Sequence, residues 1–209
     1  MMEVWAEKTA EQWKLIAGAV ALVLLVMAGL GISNEMRSRR EMAATNALYE
    51  AQIEARKAEK NTEMAEQAFQ KVIDQHKGTR AAFEAELQAG DAWIDAANYE
   101  KASAHYQKAA DESSEPFSKL LAIYNVGIAR ESSGKPEEAV KAYEQALAST
   151  GSEFLRPEIL MAQARCYEAL NQTAKAIEIY KTVEEKFASR SYYSGAASAF
   201  EKQLSAKKL

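Results

Sequence analysis

A repeating pattern of small and aromatic residues constrains the fold of this chain more than any other feature of its sequence. Alanine recurs every 37 residues, an aromatic residue follows each alanine by four positions, and Val or Ala follows three positions later. Positions i, i+4 and i+7 lie on one face of an α-helix, so each segment is predicted to be a helix that packs through this face. The three sets are Ala65, Ala102, Ala139 and Ala176; Phe69, Tyr106, Tyr143 and Tyr180; and Val72, Ala109, Ala146 and Val183.

A second helix is predicted upstream of each of these segments. Twelve residues before the repeated alanine stand Gly90, Gly127 and Ala164 in three units and Ile53 in the first unit. A small residue at this position allows two helices to approach closely. Between the two halves lie residues that break helices, at 97–98, 133–136 and 171–172. Each unit is therefore predicted to be two helices joined by a tight turn.

Composition limits both the fold class and the chemistry. The 209 residues include 9 Gly and 3 Pro, too few for the many turns of a β-sandwich or barrel. A formal net charge of -4 argues against a nucleic-acid-binding surface. One cysteine, Cys166, excludes an intramolecular disulfide and a multi-thiolate metal site. We therefore predict no catalytic residues, no metal, no cofactor and no small-molecule substrate.

The remaining reactive side chains are predicted to be structural. His105 directly precedes Tyr106 and is expected to face solvent, whereas His76 is expected to end a helix, where a histidine suits the helix dipole. Cys166 is expected to be a small buried apolar residue rather than a nucleophile.

The repeat pattern resembles the tetratricopeptide repeat, in which helix A has a small residue and helix B has an Ala, an aromatic residue and an Ala at these offsets. The resemblance covers about residues 45–190, and its period of 37 residues exceeds the family's usual period of about 34. The extra residues fit in the connections 111–119 and 149–158. The resemblance implies an all-α fold, a solenoid of about four helix pairs with a capping helix within residues 191–204.

The resemblance also implies a concave groove lined by the helices A. Mapped onto this sequence, the family's groove positions are apolar in the middle and acidic at the rim. An exposed apolar strip on a soluble domain usually marks a binding site. The candidate protein-binding residues are Leu87, Asp91, Ile94, Leu121, Tyr124, Asn125, Ile128, Met161 and Arg165.

The groove positions also bear on the kind of partner. Members of the family that bind chaperone tails clamp a carboxylate with Lys, Arg and Asn, and only Asn125 matches; Leu87, Asp91, Glu158 and Ala162 stand at the other clamp positions. Since an acidic rim repels a carboxylate, an amphipathic helix or an unfolded apolar segment is the better-suited partner. The alternative is that the capping helix or residues 35–60 fill the groove.

A segment of 20 uncharged residues, 15–34, precedes the repeats. A helix of about 20 residues spans the hydrocarbon core, and Trp5 and Trp13 lie where indoles favour the membrane interface. An acidic N-terminal flank and the lack of a clean cleavage site favour an anchor over a signal peptide. The predicted division is a short tail at 1–14, a transmembrane anchor at 15–34, a helical stalk with the first repeat helix at 35–62, the solenoid at 63–190, and the capping helix and tail at 191–209.

The whole arrangement is similar to that of the bacterial ancillary SecYEG translocon subunit family, and the stretch FASRSY (187–192) before the last helix agrees with it. This resemblance implies a single-pass protein of the bacterial inner membrane with a periplasmic repeat domain. It further implies an adaptor or chaperone-like function, with translocon subunits, a membrane-anchored periplasmic chaperone and unfolded clients as partners.

The charges that flank the span point the other way. Arg37, Arg39 and Arg40 follow the span, whereas Lys8 and Lys14 precede it. By the positive-inside rule, this bias favours a cytoplasmic repeat domain. We predict the periplasmic side, and a cytoplasm-facing scaffold for the assembly of a membrane complex is the alternative.

Overall fold

A computed structural model describes residues 2–59 and 61–206, and this part of the chain is all-α, as predicted. Residues 207–209 of the predicted tail lie outside the described residues. The side chains of Trp5, Lys8 and Lys14 also lie outside the description. Within the described ranges the helices are α1 (Met2–Lys57), α2 (Thr62–Gln75), α3 (Arg80–Asp95), α4 (Tyr99–Glu112), α5 (Pro116–Ser132), α6 (Pro136–Ala148), α7 (Arg156–Ala169), α8 (Thr173–Lys186) and α9 (Ser191–Ala206).

α1 runs without interruption from the apolar segment into the repeat domain. By length and composition it is apolar enough to cross a membrane, with a mean hydropathy of 2.0 in its apolar part. The described side chains between residues 17 and 34 are exposed. Further along, Ala44, Leu48 and Ala51 are buried in one cluster with Phe69 and Val72 of α2. The last part of α1 is therefore the first helix A of the solenoid.

The following helices form the predicted pairs, and each helix packs on the next one along the chain. The helices A of the four units are α1, α3, α5 and α7. The helices B are α2, α4, α6 and α8. α9 packs on α8 and α7, where Ala197 and Leu204 join Val183 and Tyr180 in one buried cluster. α9 is thus the predicted capping helix, since it covers the apolar face that the last unit would otherwise expose.

The small residue of helix A packs directly on the aromatic ring of helix B. A Cβ atom added to Gly90 would lie 2.5 Å from Cε1 of Tyr106, and Gly127 is even closer to the ring of Tyr143. Both tyrosines are buried. The predicted close approach of the two helices is confirmed, because no side chain larger than hydrogen fits at these two positions without displacing the ring.

The turns between helices A and B also recur every 37 residues. Ala97, Gly134 and Asn171 have φ of 56°, 72° and 58°. In each turn the next residue donates its N–H to the carbonyl five residues earlier, as Lys135 does to Arg130 at 3.0 Å. This left-handed residue and its hydrogen bond satisfy the end of helix A. The predicted helix breakers are therefore confirmed.

The prediction that His105 faces solvent is wrong. Its side chain is buried, with Nδ1 2.6 Å from Oε2 of Glu86 and Nε2 3.0 Å from Oε1 of Glu66. α4 buries a wider face than one helix pair requires, because it packs on α3 and α5 and also receives a side chain from α2. The predictions for His76 and Cys166 are confirmed, since His76 ends α2 and Cys166 is buried.

Candidate protein-binding groove

The candidate groove residues lie on the helices A of three successive units. Apart from the adjacent pair Tyr124 and Asn125, the candidates on each helix are three to seven residues apart, and this spacing places them on one face. The structure distributes them as follows: Leu87, Asp91 and Ile94 on α3; Leu121, Tyr124, Asn125 and Ile128 on α5; and Met161 and Arg165 on α7.

Four apolar candidates are half-buried. Leu87 and Ile128 pack on one buried cluster, which holds residues of α4, α5, α6 and α7, and Ile94 packs on the cluster around Trp93. Leu121 is also half-buried and lies outside the buried clusters. Each of these side chains is partly packed against the core and partly accessible, so it can contact a partner while the helix packing stays unchanged. We call Leu87, Leu121 and Ile128 the apolar strip.

Tyr124 and Met161 are buried, although the sequence pattern places both in the groove. The Tyr124 ring lies 5.9 Å from the ring of Tyr143, and its hydroxyl donates to Oε1 of Glu158 at 3.2 Å. Met161 packs with Ala197 and Leu204 of the capping helix. Leu87, Tyr124 and Met161 occupy equivalent positions in three units, 37 residues apart. Leu87 is partly accessible to a partner, whereas Tyr124 and Met161 are buried.

Three carboxylates at the acidic groove positions, those of Asp91, Glu131 and Glu168, accept hydrogen bonds from tyrosine hydroxyls. Burial, reinforced by these carboxylates, raises the pKa of each hydroxyl well above its ordinary value, so the tyrosines remain neutral donors. Hydrogen bonds from buried tyrosines therefore hold these rim carboxylates in place. The pairs are Tyr106 with Asp91 at 2.6 Å, Tyr143 with Glu131 at 2.7 Å, and Tyr180 with Glu168 at 2.5 Å.

Arg165 of α7 holds Glu131 of α5 in a two-pronged ion pair. Nε and Nη2 of Arg165 lie 2.9 and 3.2 Å from the two carboxylate oxygens of Glu131. Burial disfavours the charged form of Arg165 and would lower its pKa. The hydrogen bond to Glu131, together with the charge of Glu131, has the larger effect, so the pKa of the guanidinium is raised. The pair neutralises one rim carboxylate, and about half of the Arg165 side chain stays accessible at 49%.

Sequence reasoning missed the double role of Glu131, which accepts from both Tyr143 and Arg165. A signal was present, because Glu131 and Tyr143 are separated by 12 residues and Glu168 and Tyr180 are separated by the same 12. It also missed a cleft of about 750 Å³ at the ends of α1 and α3, which Gln52, Arg56, Phe69, Gln88 and Asp95 help to line.

The arrangement offers a contact surface rather than reactive groups. In the part of the chain that the structure describes, no three His, Cys, Asp or Glu side chains are placed to hold a metal ion. Burial raises the pKa of the Cys166 thiol to about 12, which leaves it protonated and unreactive.

Family models together match the whole of the predicted repeat region, residues 45–190. A model described as a tetratricopeptide repeat-like domain matches residues 9–131, and a tetratricopeptide repeat model matches residues 132–200. No curated protein matches the chain.

Solved structures share the fold at low sequence identity. MamA protein is 17% identical with a TM-score of 0.55, over 77% of this chain and 87% of that one. The nearly identical TPR-like repeats of a putative kinesin light chain from Podosopora anserina are 16% identical with a TM-score of 0.56, over 78% and 92%. The pilF protein of Pseudomonas aeruginosa is 15% identical with a TM-score of 0.52, over 77% and 76%. These similarities show the fold alone.

Proposed function

This chain belongs to the tetratricopeptide repeat-like family, and from that premise we propose that it is a membrane-anchored adaptor that binds apolar or amphipathic segments of partner proteins. Domains of this family generally bind protein partners or peptides, and they are typically non-enzymatic scaffolds or adaptors. The observation that carries the proposal is the apolar strip on α3 and α5, whose side chains are half-buried on the face predicted to bind partners.

The mechanism is non-covalent. A partner helix with apolar residues on one face would cover Leu87, Leu121 and Ile128, and the partner's polar face would meet Arg165 and the carboxylates of the rim. The span at residues 15–34 would keep the groove at the membrane and so raise its effective concentration for segments that emerge there.

The apolar strip is tested by charge substitution in the full chain in lipid nanodiscs. A fluorescent amphipathic helical peptide serves as the probe, and its affinity is measured by anisotropy. Leu121→Glu and Ile128→Glu are each expected to weaken binding by about tenfold, or about 1.4 kcal/mol, because the peptide must cover the new charge. Tyr124 is unsuitable for this test, because it is buried and a charge there would disturb the fold.

The matched control is Met64→Glu, because Met64 is an exposed apolar residue of α2, a helix B outside the groove. It is expected to leave the affinity unchanged. Equal affinities for Leu121→Glu and the unaltered chain would contradict the proposed site.

We further propose that the adaptor acts at the Sec translocon on the periplasmic side of the bacterial inner membrane. The supporting observation is the order of parts: one apolar helix, four helix pairs and a capping helix, as in the ancillary subunit family. Translocon subunits, a membrane-anchored periplasmic chaperone and unfolded clients would be its partners. Co-purification of SecYEG with the full chain in mild detergent is the expected result, and its absence would contradict this assignment.

A cytoplasm-facing scaffold is the second candidate, and Arg37, Arg39 and Arg40 favour it by the positive-inside rule. All three are exposed, and Arg39 pairs with Glu35 at 2.7 Å. Protease added to intact spheroplasts separates the two candidates. Digestion of the repeat domain is expected for the periplasmic adaptor, whereas protection would establish the cytoplasmic scaffold.

A further inference from the structure

Three exposed aromatic residues recur at or just before the starts of α5, α7 and the capping helix α9. Phe117, Phe154 and Tyr192 are 43%, 67% and 78% exposed, and they are separated by 37 and 38 residues. Phe117 is the second residue of α5, Tyr192 is the second residue of α9, and Phe154 lies two residues before α7. We call these three side chains the aromatic edge. The candidate groove does not use them.

The aromatic edge lies on the side of the solenoid where α1 enters it. Alternate helices of a solenoid run in the same direction, so α3, α5, α7 and α9 start on this side. The Arg40 side chain of α1 donates to the carbonyl of Lys77 just before α3, and the Arg80 N–H donates to Glu41 at 3.3 Å. At the other end of the solenoid, Arg190 donates to the carbonyl of Phe154 at 2.6 Å.

Where α1 meets the connection before α3, helix geometry sets the distance between this side of the solenoid and the end of the apolar segment. Residues 34 and 40 of α1 are six positions apart, which is about 9 Å along a helix. The headgroup layer is about 5–7 Å thick on each side of the hydrocarbon core. Phe117 and Tyr192 lie in first helical turns, where side chains lean toward the helix N-terminus, which here is the direction of the apolar segment. A phenyl or phenol ring at the edge would therefore reach the headgroups.

We propose that the aromatic edge contacts the lipid headgroup layer of the membrane that holds α1. The proposal rests on the membrane anchor of the proposed function. Tyrosine is enriched at the membrane interface, and Phe is among the residues that interfacial helices bury at the boundary of headgroups and acyl chains. The rise of about 9 Å along α1 between residues 34 and 40 is comparable with the thickness of the headgroup layer, so the lipid of the bilayer that holds α1 is the occupant nearest to the edge.

Charge in the connections along this side is balanced, so the rings of the edge are not accompanied there by an excess of basic residues. The connections before α3, α5, α7 and α9 contain two basic residues, Lys77 and Arg190, and two acidic ones, Glu115 and Glu153. The Arg190 guanidinium lies 5.4 Å from the centre of the Phe154 ring and gives that ring a neighbouring cation for a lipid phosphate. The contact is therefore expected to persist at high salt, which weakens attraction by charge alone.

The experiment measures quenching of a fluorophore by nitroxide-labelled lipid, with the full chain in nanodiscs. Glu153→Cys places the label beside Phe154, and Ser132→Cys places it at the opposite edge of the solenoid, at the end of α5. The native Cys166 is buried and stays unlabelled. Headgroup nitroxides are expected to quench the label at 153 several-fold more strongly than the label at 132. Equal quenching at the two positions overturns the proposal.

Two further variants separate the possible failures. Ile32→Cys reports on the anchor, and quenching of its label by nitroxides on the acyl chains is expected. Lack of that quenching overturns the membrane anchor itself, whereas an anchored chain with equal quenching at 153 and 132 overturns only the aromatic edge. Adding Phe154→Ser and Tyr192→Ser, both exposed positions, is expected to lower quenching at 153 to the level at 132. Unchanged quenching in that variant excludes the rings as the contact.

Discussion

Gly127 and Tyr143 form the closest contact between the two helices of a pair, and they show how one residue determines the spacing of a unit. We expect Gly127→Ala to destabilise the protein by about 1–2 kcal/mol. The added methyl group must displace a fully buried ring, and the cost of overpacking exceeds the gain in helix propensity of about 1 kcal/mol. Unfolding in urea, followed by circular dichroism, measures the change.

The control for this prediction is Gly195→Ala in α9, where an added Cβ meets no atom within 4 Å. This change is expected to stabilise the helix by about 0.5–1 kcal/mol, because alanine replaces glycine at an exposed helical position. If Gly127→Ala stabilised the protein as Gly195→Ala does, the close contact would be refuted.

Ala97 adopts the left-handed conformation that glycine has at the equivalent Gly134. A left-handed alanine is strained by about 1 kcal/mol, so Ala97→Gly is expected to stabilise the protein by about 0.5–1 kcal/mol in the same urea assay. Ala96, with φ of -83°, provides the matched control. Ala96→Gly is expected to give no gain, and equal effects at the two positions would show that the turn is not strained.

The buried cluster of His105, Glu86 and Glu66 predicts a dependence of stability on pH. Burial disfavours the charged form of His105, but the hydrogen bonds that its imidazole donates to Glu86 and Glu66 have the larger effect and raise its pKa above the ordinary value. The stabilisation is therefore complete below the unfolded pKa of about 6.5 and is lost as pH rises through the higher folded pKa.

His105→Gln tests this cluster. The difference in free energy of unfolding between the unaltered chain and the variant is expected to be larger at about pH 5.5 than at about pH 8.5, because only the charged imidazole gains from both carboxylates. A difference that is constant or grows with pH would mean that His105 is neutral in the folded protein.

At the scale of the elements, the helices and turns could be predicted because one spacing repeats. The same offsets recur at Ala102, Ala139 and Ala176, and glycine or asparagine marks two of the turns that follow the helices A. The burial of His105 and Tyr124 could not be predicted in this way. His105 meets Glu66 from the preceding unit and Tyr124 meets Glu158 from the following one, and a periodic pattern does not specify the angle between units.

The candidate site could also be predicted in part. The positions of the groove follow from the repeat, whereas their exposure depends on neighbours that the repeat does not contain. Met161 has the groove position of Leu87, yet it is buried in one cluster with Ala197 and Leu204 of the capping helix. The capping helix thus determines where the groove ends.

The capping helix is expected to stabilise the last unit alone. Ala197→Asp places a charge in the fully buried contact between α9 and α8, and it should increase hydrogen exchange in α7 and α8 while leaving α3 and α4 unchanged. In a solenoid each unit gains stability mainly from its neighbours. The matched control is Ala199→Asp on the exposed face of α9, which is expected to change nothing. Faster exchange throughout the solenoid would contradict this view.

At the scale of the whole molecule, α1 joins a candidate membrane span and the first helix A in one continuous helix. A continuous helix keeps the side of the solenoid where α1 enters it close to the membrane, because no linker separates the candidate span from the first helix A. The groove and the aromatic edge would then both lie close to segments that emerge from the bilayer.

Photocrosslinking from the apolar strip tests the adaptor function most directly. A photoreactive amino acid replaces Leu121 in the full chain in cells that hold a secretory polypeptide stalled during translocation, and Met64 is replaced in the control. Crosslinks to the stalled polypeptide are predicted from position 121 and not from position 64. Equal crosslinking from both positions, or none from position 121, would contradict the claim that this groove receives translocating chains.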